Sequence, residues 1–436
     1  MINGDWSSDV CSSDLRIQRM KHNKIIAFLM AGALLTGLVS CKTSDSNEGN
    51  TTEPDTKITT AAPTEEDTTP VKPENPLKEF EHTVSFAKGN HKGVRLLGLR
   101  EATDDGFLCV DWSCAGVEFT YDSKGGDLTF RVSTNENCAF RVFVDGAPKN
   151  NSDGSPYFMN NGTRNMVIPD MPTGMHTVRV IKTSDAVTTT ALFFSMTYYG
   201  DLQEEHENLN DRDLYIEFVG DAISAGFGTV SGTVDHDGSL AFPYLVANKL
   251  DADYSVTALN GLGVVLGTNN AEKVYGLASI QRDGSMDYGF QRPADIVVIN
   301  LGSVDFAGKD EKGLTGEAFQ EAYINLIRAI YRKNGEKCKI YCLYNTVNDN
   351  FENEILKACE LLGGEDAGLF TLKTDRAAGA LPTAEEQNTI AEKLTALLNE
   401  TKNREVTKKI GLPDGYLDNQ GTGDGSSIDY NDPKWN

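Results

Sequence analysis

The chain has 436 residues, 39% of them hydrophobic and 8% aromatic, which is too long for one compact domain and suits two with sizeable cores. A formal net charge of −24, without any cluster of Lys or Arg, excludes nucleic-acid binding, because phosphate contacts need a basic footprint. Apart from Cys11 and Cys41, the eight cysteines fall as three between 109 and 138 and three between 338 and 359; free, partly buried thiols are expected, with no metal site and no cofactor.

Residues 1–15, where Trp6-Ser7-Ser8-Asp9-Val10 is echoed by Cys11-Ser12-Ser13-Asp14-Leu15, are expected to be a spurious leader, with Met20 as the native start. Arg19, Lys21 and Lys24 then precede an apolar run, Ile25 to Val39. That run is shorter than the roughly 20 residues a bilayer-spanning helix needs. It ends Leu38-Val39-Ser40-Cys41, which resembles the lipobox of bacterial lipoproteins. The resemblance implies that 1–41 comprises the leader and a signal peptide cut before Cys41. It also implies a lipid on that sulfur and an extracytoplasmic chain anchored to the bacterial membrane. Residues 42–77 are Thr, Glu, Asp, Pro and Ser with few apolar side chains and are expected to form a disordered tether.

Residues 78–203 predict an antiparallel β-sandwich. Leu128-Thr129-Phe130-Arg131-Val132 and Phe140-Arg141-Val142-Phe143-Val144 alternate, the second running into the turn pair Asp145-Gly146. Val178-Arg179-Val180 and Leu192-Phe193-Phe194-Ser195-Met196 continue the pattern, and no helical period of adequate length interrupts it.

From 210 to 402 strands and helices alternate. Strands are predicted at 214–219, 254–258, 296–300, 339–344 and 368–372, and helices at 242–250, 317–333, 352–362 and 384–400. Continuous apolar strands between amphipathic helices predict a three-layer α/β/α domain with a parallel sheet. Sites gather at the carboxyl ends of such strands, where Gly220-Asp221-Ala222 and Gly302-Ser303-Val304-Asp305 fall. Thr383-Ala384-Glu385-Glu386 reads as a capping box. Residues 403–436, rich in Gly, Asp, Asn and Ser, are expected to be a disordered tail.

The strand Tyr215–Val219 followed by Gly220-Asp221-Ala222-Ile223 resembles the first block of the SGNH/GDSL hydrolases. The segments Phe242–Leu250, Tyr254–Val256, Asn260–Gly263 and Pro293–Gly302 are similar to carbohydrate esterase family 2 in the same order. Gly174-Met175-His176-Thr177-Val178 resembles a strand of the jelly-roll domain that precedes the hydrolase in that family. The resemblance implies a jelly roll followed by an SGNH-hydrolase-like domain. In the family a serine attacks the ester, a backbone N–H, a glycine and an asparagine hold the oxyanion, and a His-Pro block supplies the base and its orienting acid. Placed on this sequence, the serine position is Ala222, the asparagine Val304, the histidine Leu381 and the acid Ala378. Only cleft backbone at Ala222, Gly261, Gly263 and Gly302 carries over.

A methyl group is no nucleophile. No histidine follows His236, so no imidazole arrives through the last loop. Ser224 reads as a helix-start residue, and Asp235-His236-Asp237 as a solvated loop. Asp221, Phe227 and Asp305 are candidate ligand contacts, against plainer roles in core packing and loop bracing. The sequence therefore predicts a surface lipoprotein that kept a carbohydrate-esterase fold, lost its chemistry and binds a glycan or acylated sugar. Two alternatives stand beside it: an acetylesterase with a non-standard nucleophile, and a protein-docking scaffold of the cell envelope.

Overall fold

The computed structural model describes residues 75–411, apart from 88–90, 100, 103–104, 205–211, 232–234, 278, 281–291, 348–350, 375 and 377–378. The leader, Cys41, the tether up to residue 74, Ala378 and most of the tail therefore lie outside the described residues. Every description below falls within the compact unit Lys72–Asn436.

Twelve antiparallel strands form the first sheet: β1 (Glu81–Ser85), β2 (Val94–Leu97), β3 (Glu101–Ala102), β4 (Leu108–Cys109), β5 (Gly116–Lys124), β6 (Leu128–Thr134), β7 (Cys138–Val144), β8 (Ala147–Pro148), β9 (Tyr157–Met159), β10 (Gly162–Ile168), β11 (Thr173–Lys182) and β12 (Ala191–Leu202). The sheet curls over on itself through β12, whose first part pairs with β6 while Gly200–Leu202 pairs with β5. At the crossing, Gly200 has φ +138° and a Cβ there would overlap the Asp122 carbonyl, so glycine is required. The two layers enclose Phe86, Phe119, Phe130, Phe140 and Phe193. On β6 burial alternates as the sequence predicts, with Leu128, Phe130 and Val132 inward. On β5 it does not: Gly116–Tyr121 are all buried, because the outer face of this strand is covered by the α/β half.

The second sheet is parallel, in the order β14 (Asp253–Ala258), β13 (Tyr215–Gly220), β17 (Ile296–Asn300), β18 (Lys339–Tyr344), β19 (Leu369–Lys373). Between β14 and β17 runs a minor parallel pair, β15 (Leu262–Gly263) and β16 (Asn269–Asn270). Helices α1 (Phe242–Lys249) and α6 (Ala384–Thr401) cover one face, in a core with Phe218, Val298 and Leu343. On the other face α4 (Gly316–Asn334) and α5 (Glu352–Leu361) pack with Val219, Val297, Ile299 and Ile340. A one-turn helix α2 (Ala271–Val274) and the ten-residue α3 (Ser303–Lys312) complete the set. The chain leaves β13 to build β14 on one side and returns to build β17 on the other. The sheet therefore switches direction at Gly220 and Asn300, which sit opposite each other at the carboxyl ends.

Helix ends obey local chemistry. Thr315 caps α4 by accepting from Ala318 N, and the capping box at α6 is present in full, Glu386 N to Thr383 Oγ1 at 3.3 Å and Thr383 N to Glu386 Oε2 at 2.8 Å. The tail, however, does not begin at 403. Thr407 and Lys408 donate backbone N–H groups to Asp366 O and Ile410 is buried, so the chain stays packed on the domain through 411. The sequence pattern hides this because two apolar side chains, Val406 and Ile410, among charged residues give no period.

Candidate active-site region

Three loops meet at the switch point. The first leaves β13 as Asp221–Gly228. The second runs from β14 through 259–267. The third passes from β17 into α3 through Gly302, a left-handed cap at φ +113°. The loop before α6 arrives from the side and carries Leu381.

Asp221 is buried, and its carboxylate accepts from Ser303 Oγ across the switch and from Ile223 N at 3.0 Å. Burial pushes its pKa up to about 6, against the lowering effect of those two bonds. Asp305 is fully buried and accepts three backbone N–H groups, from Val264 (2.9 Å), Val265 (2.8 Å) and Leu266 (2.7 Å). Both were candidate ligand contacts, and that expectation is corrected here. Their lone pairs point into protein, where they hold loops one and two against α3. Phe227 is half-buried and stacks on His236, with centroids 4.4 Å apart and 22° between planes.

His236 is fully engaged. Its Nε2 accepts from Asp185 N at 2.9 Å, which fixes the other nitrogen as the N–H that donates to Asp235 Oδ1 at 3.0 Å. It bridges loops and holds no proton acceptor toward Ala222. Asp237, expected in a solvated loop, is buried and pairs with Arg141 at 2.8 Å. Ser224 lies beneath the site: it is buried, accepts from Asn300 Nδ2 at 3.1 Å, and would overlap any Cβ on Gly220. Among the described residues no three His, Cys, Asp or Glu side chains gather as a metal site.

At the three described positions that the sequence resemblance matches to the serine, asparagine and histidine, the structure holds apolar side chains. Ala222 is half-exposed at the first turn, with its carbonyl bonded to Phe227 N at 3.0 Å. Val304 packs against Gly267, where an added Cβ would come within 3.2 Å of Val304 Cγ1. Leu381, 40% exposed, lies against Gly228; a Cβ there would stand 2.8 Å from Leu381 Cβ. Gly261 is half-exposed at φ +82°, whereas Gly263 is buried under the Leu266 carbonyl and presents nothing to the cleft. Gly263 is thereby corrected as a cleft residue. Sequence reasoning did not foresee the Asp221–Ser303 bond, the Asn300–Ser224 bond or the bracing by Asp185. Each joins short polar residues at strand ends far apart in sequence, and only the fold brings them together.

A separate trough of about 490 Å³, lined by Glu336, Lys337, Lys339 and residues 404–409, opens near Lys339 at the amino-terminal end of β18. Its charges pair locally, as Lys409 with Glu336, and it lies away from the loops above.

The parallel sheet, its switch point and the order of the three loops define a GDSL/SGNH-type domain, and residues 216–432 match the family model GDSL-like Lipase/Acylhydrolase. Among relatives, an acetylxylan esterase / glucomannan deacetylase from Cellvibrio japonicus is 25% identical over 60% of this chain and 75% of its own length. A family two carbohydrate esterase from Clostridium thermocellum, solved in complex with cellohexaose, superposes with TM-score 0.63 at 20% identity, covering 71% of this chain and 99% of that one. A further carbohydrate esterase, whose active site is described as displaying divergent catalytic and non-catalytic binding functions, superposes with TM-score 0.55 at 22% identity over 74% and 98%. The fold is thus that of carbohydrate esterase family 2, with the curled antiparallel sheet ahead of the parallel one.

Proposed function

We propose that this chain is an extracytoplasmic protein, anchored through Cys41, that has kept a carbohydrate-esterase scaffold without its chemistry and binds a glycan or acylated sugar at the switch point. The observation that carries the reading is the side-chain set at the cleft: Ala222, Val304 and Leu381 stand where a serine, an asparagine and a histidine would act. Loss of a nucleophile or base costs hydrolytic enzymes on the order of 10⁶ in turnover, and loss of one oxyanion donor about 10²–10³. Ser224 offers no substitute, being buried and bonded to Asn300. One relative is named an acetylxylan esterase / glucomannan deacetylase, another was solved with cellohexaose, and the active site of a third is described as displaying divergent catalytic and non-catalytic binding functions, which supports a retained glycan site.

Isothermal titration of the purified chain with xylan-, glucomannan- and cellulose-derived oligosaccharides, acetylated and not, tests this. Binding is expected with at least one series, weakened several-fold or more by Leu381→Asp, a change at an exposed position. Absence of heat with all of them overturns the reading.

A further inference from the structure

All six described cysteines are buried free thiols. Four have an oxygen for a partner: Cys109 Sγ lies 3.5 Å from Asp111 Oδ1, Cys114 3.8 Å from Ser113 Oγ, Cys138 3.3 Å from Ser184 Oγ and Cys338 3.8 Å from the Lys339 carbonyl. Cys342 and Cys359 have each other, thiol on thiol in hydrogen-bonding contact. Secondary structure aims them at one spot. Alternate residues of β18 face opposite layers, so Cys338, Ile340 and Cys342 join the core under α4 and α5, while Tyr341 and Leu343 join the other. On α5 the helical period puts Ile355, Ala358 and Cys359 on the buried side. Tyr323 of α4 sits beside both sulfurs.

We propose that Cys342 and Cys359 are a disulfide site, closed by thiol–disulfide exchange while the chain folds, which staples α5 to β18. One protein thiolate attacks a low-molecular-weight disulfide such as oxidised glutathione, forming a mixed disulfide and expelling one glutathione thiolate. The second protein thiolate attacks the protein sulfur of that mixed disulfide and expels the other glutathione. Two protein thiols are oxidised, one glutathione disulfide is reduced to two thiols, and the two protons pass to glutathione. The extracytoplasmic side of a membrane, where the reading above puts this chain, maintains such oxidants. The exchange itself needs only the folding chain and the oxidant, so it stands or falls apart from the glycan reading.

Burial sets the timing. The Cys342 contact and desolvation both push the Cys359 thiol up, so the closed core holds little thiolate, and exchange belongs to the open chain. In the folded protein Cys342 is 0% and Cys359 3% exposed, so the finished bond is shielded from reductants.

Refolding the full chain from urea in a mixture of oxidised and reduced glutathione, against refolding in dithiothreitol, tests this. After alkylation and non-reducing tryptic digestion, residues 340–357 and 358–373 are expected as one linked species in the oxidised sample. A bond closing a loop of about 17 residues should raise the melting temperature by about 5 °C over the reduced sample. Cys359→Ser should melt alike after both treatments. Recovery of the two peptides unlinked to each other overturns the proposal, as does a link that lowers the melting temperature, because native packing would then reject the bond. A gap that persists in Cys359→Ser assigns the stabilisation to another pair and overturns it as well.

Discussion

Asp221, in the segment that resembles the first hydrolase block, serves as a brace. It bridges the first loop to Ser303, and its burial raises its pKa from 3.8 to about 6. A folded-state pKa above the unfolded value means a stability contribution present below about 3.8 and lost as pH rises through about 6. Two pKa units correspond to about 3 kcal/mol, as an upper order of magnitude. Asp221→Asn cannot titrate, so its stability relative to wild type should improve between pH 4.5 and 7.5 by about 2 kcal/mol, the rest having been lost below pH 4.5, read by urea unfolding at both values. A difference that does not change with pH would show that Asp221 carries no such penalty. At this scale the sequence told most where motif order was intact: Gly220-Asp221-Ala222 and Gly302-Ser303-Val304 were expected at the carboxyl ends of strands, and they fall there, after β13 and β17. It misled at Asp221 and Asp305, because a carboxylate next to a motif reads equally as ligand contact or as brace, and only burial decides.

Between elements, the curled sheet and the parallel sheet are joined by charge rather than by grease alone. Arg95 on β2 donates to Glu118 on β5 at 2.8 Å and pairs with Asp253 at the start of β14. Arg179 on β11 takes the other Glu118 oxygen at 2.8 Å and reaches Asn248 on α1, while Arg292 holds Asp253 at 2.8 Å. Trp112 Nε1 donates to Leu277 O at 2.7 Å and Tyr254 Oη to Cys114 O at 2.8 Å. Removing one member of a buried network strands its partners, so Arg95→Met should cost about 3 kcal/mol, measured by chemical denaturation. A loss below about 1 kcal/mol would mean that the remaining arginines satisfy Glu118 and Asp253 alone. This junction explains why burial does not alternate along β5, where Glu118 is buried among the arginines. The parallel strands were legible because runs such as Ile296–Asn300 admit no other reading. Helix α3 was not, since its pattern has no apolar stripe and its only buried residue is Asp305.

The whole molecule combines a scaffold of carbohydrate-esterase form with a switch point lined by Ala222, Val304 and Leu381. Strand–helix grammar made the architecture of the second half legible, and composition spoke only to partner class. Neither could give the ligand, because donors and walls in the cleft come from loops separated by up to about 160 residues and meet only after folding. The account's central claim is that the cleft contains no activated oxygen able to attack an ester. Intact-mass measurement of the purified chain after exposure to an excess of a fluorophosphonate, a reagent that traps activated serines, tests it most directly. The predicted spectrum is unchanged; a stoichiometric phosphonyl adduct, on Ser224 or any other residue, would contradict it.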